Sequence, residues 1–258
     1  MASIAASRPS LTSNDAAVLQ ALFDAESSPS SGITVDSSLP PWPKAVNISQ
    51  EDLLSLKNRE IEIIRELQPS MNPTCEVVQS AVDRLSALLV QYPSYPSAYT
   101  NRAQAFRMLV DLQFDNTEMS TDDTSNDALF TPQAADMSSQ ILADLGQAIT
   151  YATPASPADP VSSAQARLLA DAHTHRGYLL LKAARLKKNA VEKNEEAFGP
   201  DRLRELGADQ LEEMASRDFF LGGRYGNKVA QQLAVQTNPY AKMCGAIVQE
   251  AMRKEIEG

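Results

Sequence analysis

Apolar side chains recur along this chain at intervals of three and four, the spacing that lines up one face of an α-helix. Val78, Ala81, Val82, Leu85, Leu88, Leu89 and Tyr92 form one such stripe, and Tyr99, Ala103, Phe106 and Val110 a second. Met137, Ile141, Leu142, Leu145, Ala148 and Ile149 form a third, and Leu211, Met214, Ala215 and Phe219 a fourth. No comparable run alternates with period two, so strands are not expected. The pattern predicts an all-α protein.

Prolines punctuate that pattern. Asn72-Pro73, Thr131-Pro132, Asp159-Pro160 and Asn238-Pro239 each put a capping residue before a proline, whose missing N–H the first helical turn would leave unbonded anyway. Each pair reads as a helix start, and Pro96 and Pro200 read the same way with poorer caps. Ser49 with Asp52 three residues on resembles a capping box, with Ile48 and Leu53 as its staple. Residues 24–48 are rich in Ser and Pro, including Pro40-Pro41-Trp42-Pro43, and predict an extended linker. Residues 115–131 are acidic and polar and predict a mobile loop. Ahead of the linker, residues 14–23 carry Val18, Leu19, Leu22 and Phe23 on one side. So short a helix is marginal alone, and its apolar side needs a surface, either this protein's own or a partner's. The expected organisation is an N-terminal segment 1–23, a linker 24–48 and a helical domain 49–258.

Within that domain a repeat emerges. The tetratricopeptide unit is a helical hairpin of roughly 34 residues, with small residues near positions 8, 20 and 27 and proline near 32. Pro93 at the last of these puts Ala81 where two helices cross. A second unit starts at Pro96, with Tyr99, Ala103 and Phe106 on the pattern in its first helix and Leu145 and Ala148 in its second. A third takes Gly177 in its first helix and Ala215, Phe219 and Gly222 in its second. Small residues at crossings let backbones approach while the large ones fill the gaps. In units two and three the turn between helices is longer than the template by about 26 residues. The extra charged segment Lys182 to Glu205 predicts both helices of unit three lengthened into a projecting hairpin. The expected fold is therefore a tetratricopeptide-type helical-hairpin solenoid of about three repeats (residues 49–95, 96–157 and 158–226), with long insertions and a C-terminal capping region 227–258.

Three blocks in order resemble the tetratricopeptide repeat protein 36 family: Asn14 to Phe23 (its opening helix), Ser97 to Ala105 (its central repeat) and Asn238 to Cys244 (the block leading its last helix). This chain departs from shorter members by its linker and its two stretched turns. The resemblance implies a non-enzymatic adaptor associated with the Hsp70 chaperone, with some members linked to tyrosine catabolism.

In a repeat solenoid the first helix of each hairpin lines the concave side. By template position, Ser97, Thr100, Asn101, Gln104 and Arg107 would face it in unit two, and Asp171, Thr174, His175, Tyr178 and Leu181 in unit three. The partner-binding groove is accordingly expected at Thr100, Asn101, Gln104, Arg107, Asp171, Thr174 and Tyr178, gripping a protein or peptide through amide, hydroxyl and guanidinium groups. The known carboxylate clamp of chaperone-binding tetratricopeptide domains is not expected to form, because only Asn101 matches it and Asp171 stands where a lysine is needed. A self-associating structural repeat protein is the alternative.

Composition narrows the partners. Acidic residues outnumber basic ones by 33 to 23, a formal charge of −10. That balance disfavours nucleic acid and anionic membrane surfaces. Cys75 and Cys244 are far apart with no neighbouring ligand residues, and read as reduced thiols of a cytoplasmic protein. A mitochondrial presequence is the alternative, resting on Arg8, several serines and no acid before Asp15. His173 and His175 are two apart on a helix, point to different sides and cannot share a metal. No phosphate loop, Ser-His-Asp set or paired-carboxylate motif occurs, so no catalytic residue and no cofactor is expected.

Overall fold

The computed structural model describes residues 33–114, 128–193 and 199–238. Eight α-helices are present among them: α1 Gln50–Glu66, α2 Cys75–Gln91, α3 Pro96–Phe114, α4 Ala135–Ala152, α5 Ser163–Lys193, α6 Asp201–Arg204, α7 Ala208–Arg224 and α8 Lys228–Thr237. The described residues hold no strand; a single bridge pairs Val35 with Val161. The all-α expectation holds.

Local chemistry explains most helix ends. Ser49 caps α1, its Oγ accepting the Asp52 N–H at 3.0 Å. α3 opens on Pro96 itself. At Asn72-Pro73 the expected start is two residues early. Asn72 takes a left-handed conformation (φ 43°) that closes the short turn Pro69–Met71, and α2 begins at Cys75 behind Thr74. At Asp159-Pro160 the shift is larger, because Ser162 and Gln165 form the cap. The Gln165 N–H donates to Ser162 Oγ at 3.1 Å, and the Ser162 N–H donates to Gln165 Oε1 at 3.0 Å. Thr131-Pro132 opens a single 3-10 turn that runs into α4. Pro200 precedes only the four-residue α6.

α1 packs on α2, α2 on α3, α3 on α4, α4 on α5, α5 on α7 and α7 on α8, and α3 also meets α5. One core joins α1, α2 and one side of α3, through Leu56, Ile63, Val78, Leu85, Leu88 and Leu109. The larger core joins the other side of α3 to α4, α5 and α7, through Val110, Ile141, Leu145, Leu169, Leu211 and Phe219. Small residues sit at the crossings. Ala81, Ala103, Ala148 and Gly177 are all buried, and a Cβ on Gly177 would come within 2.9 Å of the Phe219 ring.

Two segments depart from expectation. α5 does lengthen, to Lys193, but α7 begins only at Ala208, so no paired hairpin projects. Residues 199–206 lie back against the core instead, because they carry apolar anchors. Leu203 is buried in the larger core, and Gly199 (φ 155°) fits so closely against Phe130 that a Cβ would lie 3.1 Å from that ring. Lys187 Nζ ties the return down, donating to the carbonyls of Arg204 and Leu206 at 2.6 Å each. At the end of the acidic segment Leu129 and Phe130 are buried in the same core, which shortens the loop expected over 115–131.

From residue 33 the Ser/Pro-rich segment lies against the helices as a strap. Val161 N–H donates to the Thr34 carbonyl and Asp36 N–H to the Val161 carbonyl, both at 2.9 Å. Ser162 Oγ donates to the Pro41 carbonyl at 2.8 Å, and Trp42 meets the Tyr95 ring edge-on with centroids 6.1 Å apart. Ser94 Oγ donates to the Val46 carbonyl at 2.7 Å. The strap thus passes the start of α5, then that of α3, then enters α1.

Candidate protein-binding face

Charged pins hold the hairpins and so decide which sides stay open. Arg102 on α3 grips Asp144 on α4 through two parallel hydrogen bonds, Nε to Oδ2 at 2.8 Å and Nη2 to Oδ1 at 2.7 Å. Arg176 on α5 grips Asp218 on α7 the same way, with both bonds at 2.7 Å. The two pairs have the same separation in sequence, 42 residues. Both carboxylates are buried, and paired guanidinium geometry is what makes burial of such a charge tolerable.

Each pin has company. Arg102 also donates to Ser86 Oγ on α2 at 3.1 Å, and Gln140 Nε2 donates to Asp144 Oδ1 at 2.9 Å. His173 Nδ1 lies 2.7 Å from Asp218 Oδ1, with its ring stacked on Tyr225. Burial pushes the Asp218 carboxyl up, but the His173 and Arg176 hydrogen bonds outweigh it and leave it below its ordinary range. The first hairpin reverses the polarity. There Arg84 on α2 stands where the acid stands elsewhere, donating to both oxygens of Glu66 on α1 at 2.8 and 2.9 Å.

α2, α4 and α7 are thus each tied to a preceding long helix, α1, α3 and α5. α3 is joined to α1 by Asn101, whose Nδ2 donates to Glu60 Oε1 at 2.7 Å. Glu60 is buried, also accepts from the Tyr95 hydroxyl at 2.8 Å, and is pushed up by that burial. α3 meets α5 near Arg107 and His175. Burial, then the Arg107 charge, push the His175 imidazole down to about 4. Both its ring nitrogens are sealed and unbonded, the sole such side-chain atoms among the described residues. A neutral ring is what such a seat can hold.

The expected groove residues separate on this framework. Helical spacing turns Thr100, Gln104 and Asp171 away from the pinned sides. Gln104 and Asp171 are exposed, and Tyr178 stands 43% exposed with its ring edge-on to Phe219. Partial burial raises the Asp171 carboxyl, with Arg167 opposing. Arg107 is half-exposed, 4.0 Å from Asp111. Thr100 hydrogen-bonds the Ser97 carbonyl of its own helix. Asn101 is spent on Glu60. Thr174 is buried between α5 and α7, its Oγ1 donating to the Ala170 carbonyl and filling the space beside Gly222. Open residues of the face are thus Gln104, Arg107, Asp171 and Tyr178.

The pins were missed in the sequence, although a signal was present. Arg before a small residue (Arg102-Ala103, Arg176-Gly177) and Asp before a large one (Asp144-Leu145, Asp218-Phe219) recur in matched register. Among the described residues no cluster of His, Cys, Asp and Glu could hold a metal, and no helix is long and apolar enough to cross a membrane. Cys75 is a half-buried free thiol; Cys244 and the block after Asn238 lie outside the described residues.

Against known proteins, the chain is 64% identical over 252 residues to the L-tyrosine degradation gene cluster protein hmgX of Aspergillus fumigatus. The alignment covers 98% of this chain and 96% of that one. The chain belongs to the hmgX family. No protein-family model matches it. No solved structure matches it either. The similarity runs over nearly the whole length of both chains rather than over one module.

Proposed function

We propose that this hmgX-family chain is a tetratricopeptide-type repeat protein that holds another protein on the face formed by α1, α3 and α5. It serves L-tyrosine degradation without a catalytic step of its own. The observation that carries the reading is the repeated pin. Arg102–Asp144 and Arg176–Asp218 lock two hairpins in one register, and the side of each first helix turned away from its pin carries polar groups open to solvent. Such a surface suits an extended segment of a partner, gripped by the Gln104 amide, the Arg107 guanidinium and the Tyr178 ring. The link to tyrosine rests on the name of the Aspergillus relative and on the resemblance described above.

The Hsp70 association rests on the resemblance alone. If it occurs, it uses something other than a carboxylate clamp, since Asn101 is committed to Glu60 and Asp171 would repel a carboxylate. Affinity capture from native cells growing on L-tyrosine tests both parts at once. The full chain is expected to retain an enzyme of tyrosine degradation, and a Gln104→Ala/Arg107→Glu variant with an unchanged melting temperature is expected to lose it. Equal recovery on both chains would remove the face from the account, and turnover of a tyrosine catabolite by the purified chain would remove the adaptor reading.

A further inference from the structure

α1 has two apolar stripes, and one of them is buried in a core among the described residues. Leu56, Glu60, Ile63 and Leu67 are buried against α2 and α3. Leu54, Ile61 and Ile64, spaced at seven and three, lie about 120° round the helix from them. Leu54 is 64% exposed, and Ile61 and Ile64 are half-buried but packed against neither core among the described residues. Arg59 and Glu66 reach α2 from the opposite side of the helix, so this second stripe belongs to the open face.

The strap delivers a candidate occupant to that face. Residue 33 emerges beside Val161 at the start of α5, on the rim along which α5, α3 and α1 all begin. From there residues 24–32 can span about 30 Å when extended. The stripe on α1 is two helix spacings away, about 20 Å. Next along the chain lies Asn14–Phe23, with Val18, Leu19, Leu22 and Phe23 on one side and only acidic charges nearby, Asp15, Asp24 and Glu26. The stripe is flanked by exposed Lys57 and Arg65. Shape, reach and charge agree.

We infer that the chain's own segment Asn14–Phe23 seats on Leu54, Ile61 and Ile64. This seating does not depend on the adaptor reading. Hydrogen exchange of the full chain therefore tests it with no partner present. A free ten-residue segment exchanges at the rate of an unfolded peptide. The expected result is slowed exchange over residues 14–23, unchanged on dilution. Leu22→Glu and, separately, Ile61→Glu should each speed it at least about ten-fold while α3 and α5 keep their protection. Unfolded-peptide rates in the unmodified chain would overturn the inference. So would protection that vanishes on dilution as a dimer dissociates, which would assign the seat to a second copy. So would protection that ignores Ile61→Glu, which would place the segment elsewhere.

Discussion

At the seam between α3 and α5 a neutral imidazole faces a guanidinium. His175 titrates at about 4 in the fold, against about 6.5 in an unfolded chain. Between those values the unfolded chain takes up a proton that the folded one refuses, so stability falls as pH drops through that window and is unaffected by this group above it. The loss should approach about 3 kcal/mol by pH 4. His175→Phe is expected to flatten the fall of the urea midpoint between pH 6.5 and 4 relative to the unmodified chain; an identical slope would show that the ring is not sealed in solution. The pins give a second contrast. Asp144→Ala strands the Arg102 charge in a buried site and should cost about 3 kcal/mol in urea unfolding. Glu66→Ala removes a pair whose side chains are 39% and 46% exposed, and should cost less than about 1 kcal/mol.

Single helices depend on the close approaches between them. Gly177→Ala would put a methyl 2.9 Å from the Phe219 ring, and Gly222→Ala one 2.7 Å from Thr174 Oγ1 and 3.2 Å from the Ala170 carbonyl. Each is expected to lower stability by about 1–3 kcal/mol. Gly146 on α4 has nothing within 4 Å of its added Cβ, so Gly146→Ala should instead raise stability by about 0.5–1 kcal/mol. Thermal melts of the three variants decide the matter by sign. These glycines also show what was legible beforehand. Apolar periodicity gave α2, α3, α4 and α7, although Met214 of the α7 stripe stands 42% exposed. Small residues at the crossings were readable because each crossing repeats. Helix starts were less so: Asn72 and Asp159 have the chemistry of caps but spend it on turns, Asp159 accepting the Ser156 N–H. The return of residues 199–206 was hidden because a few anchors, Leu203 above all, outweigh a charged sequence.

Across the molecule, α3 belongs to both cores, and Trp42, Tyr99, Phe106 and Met137 touch both. That sharing predicts one cooperative unfolding transition. The chain holds a single tryptophan, so Trp42 fluorescence reports the strap directly. Its unfolding curve should coincide with that of helical circular dichroism, and an earlier fluorescence transition would mean that the strap lifts before the helices melt. The same arrangement leaves one broad side of α1, α3 and α5 without a pinned neighbour, and the functional reading concerns that side. A photo-reactive residue placed at Gln104 on it, or at exposed Glu213 on the outer side of α7, separates the two surfaces in living cells growing on L-tyrosine. The expected result is a covalent adduct with a second protein from position 104 and none from position 213. Adducts from position 213 alone, or from neither position, would contradict the account.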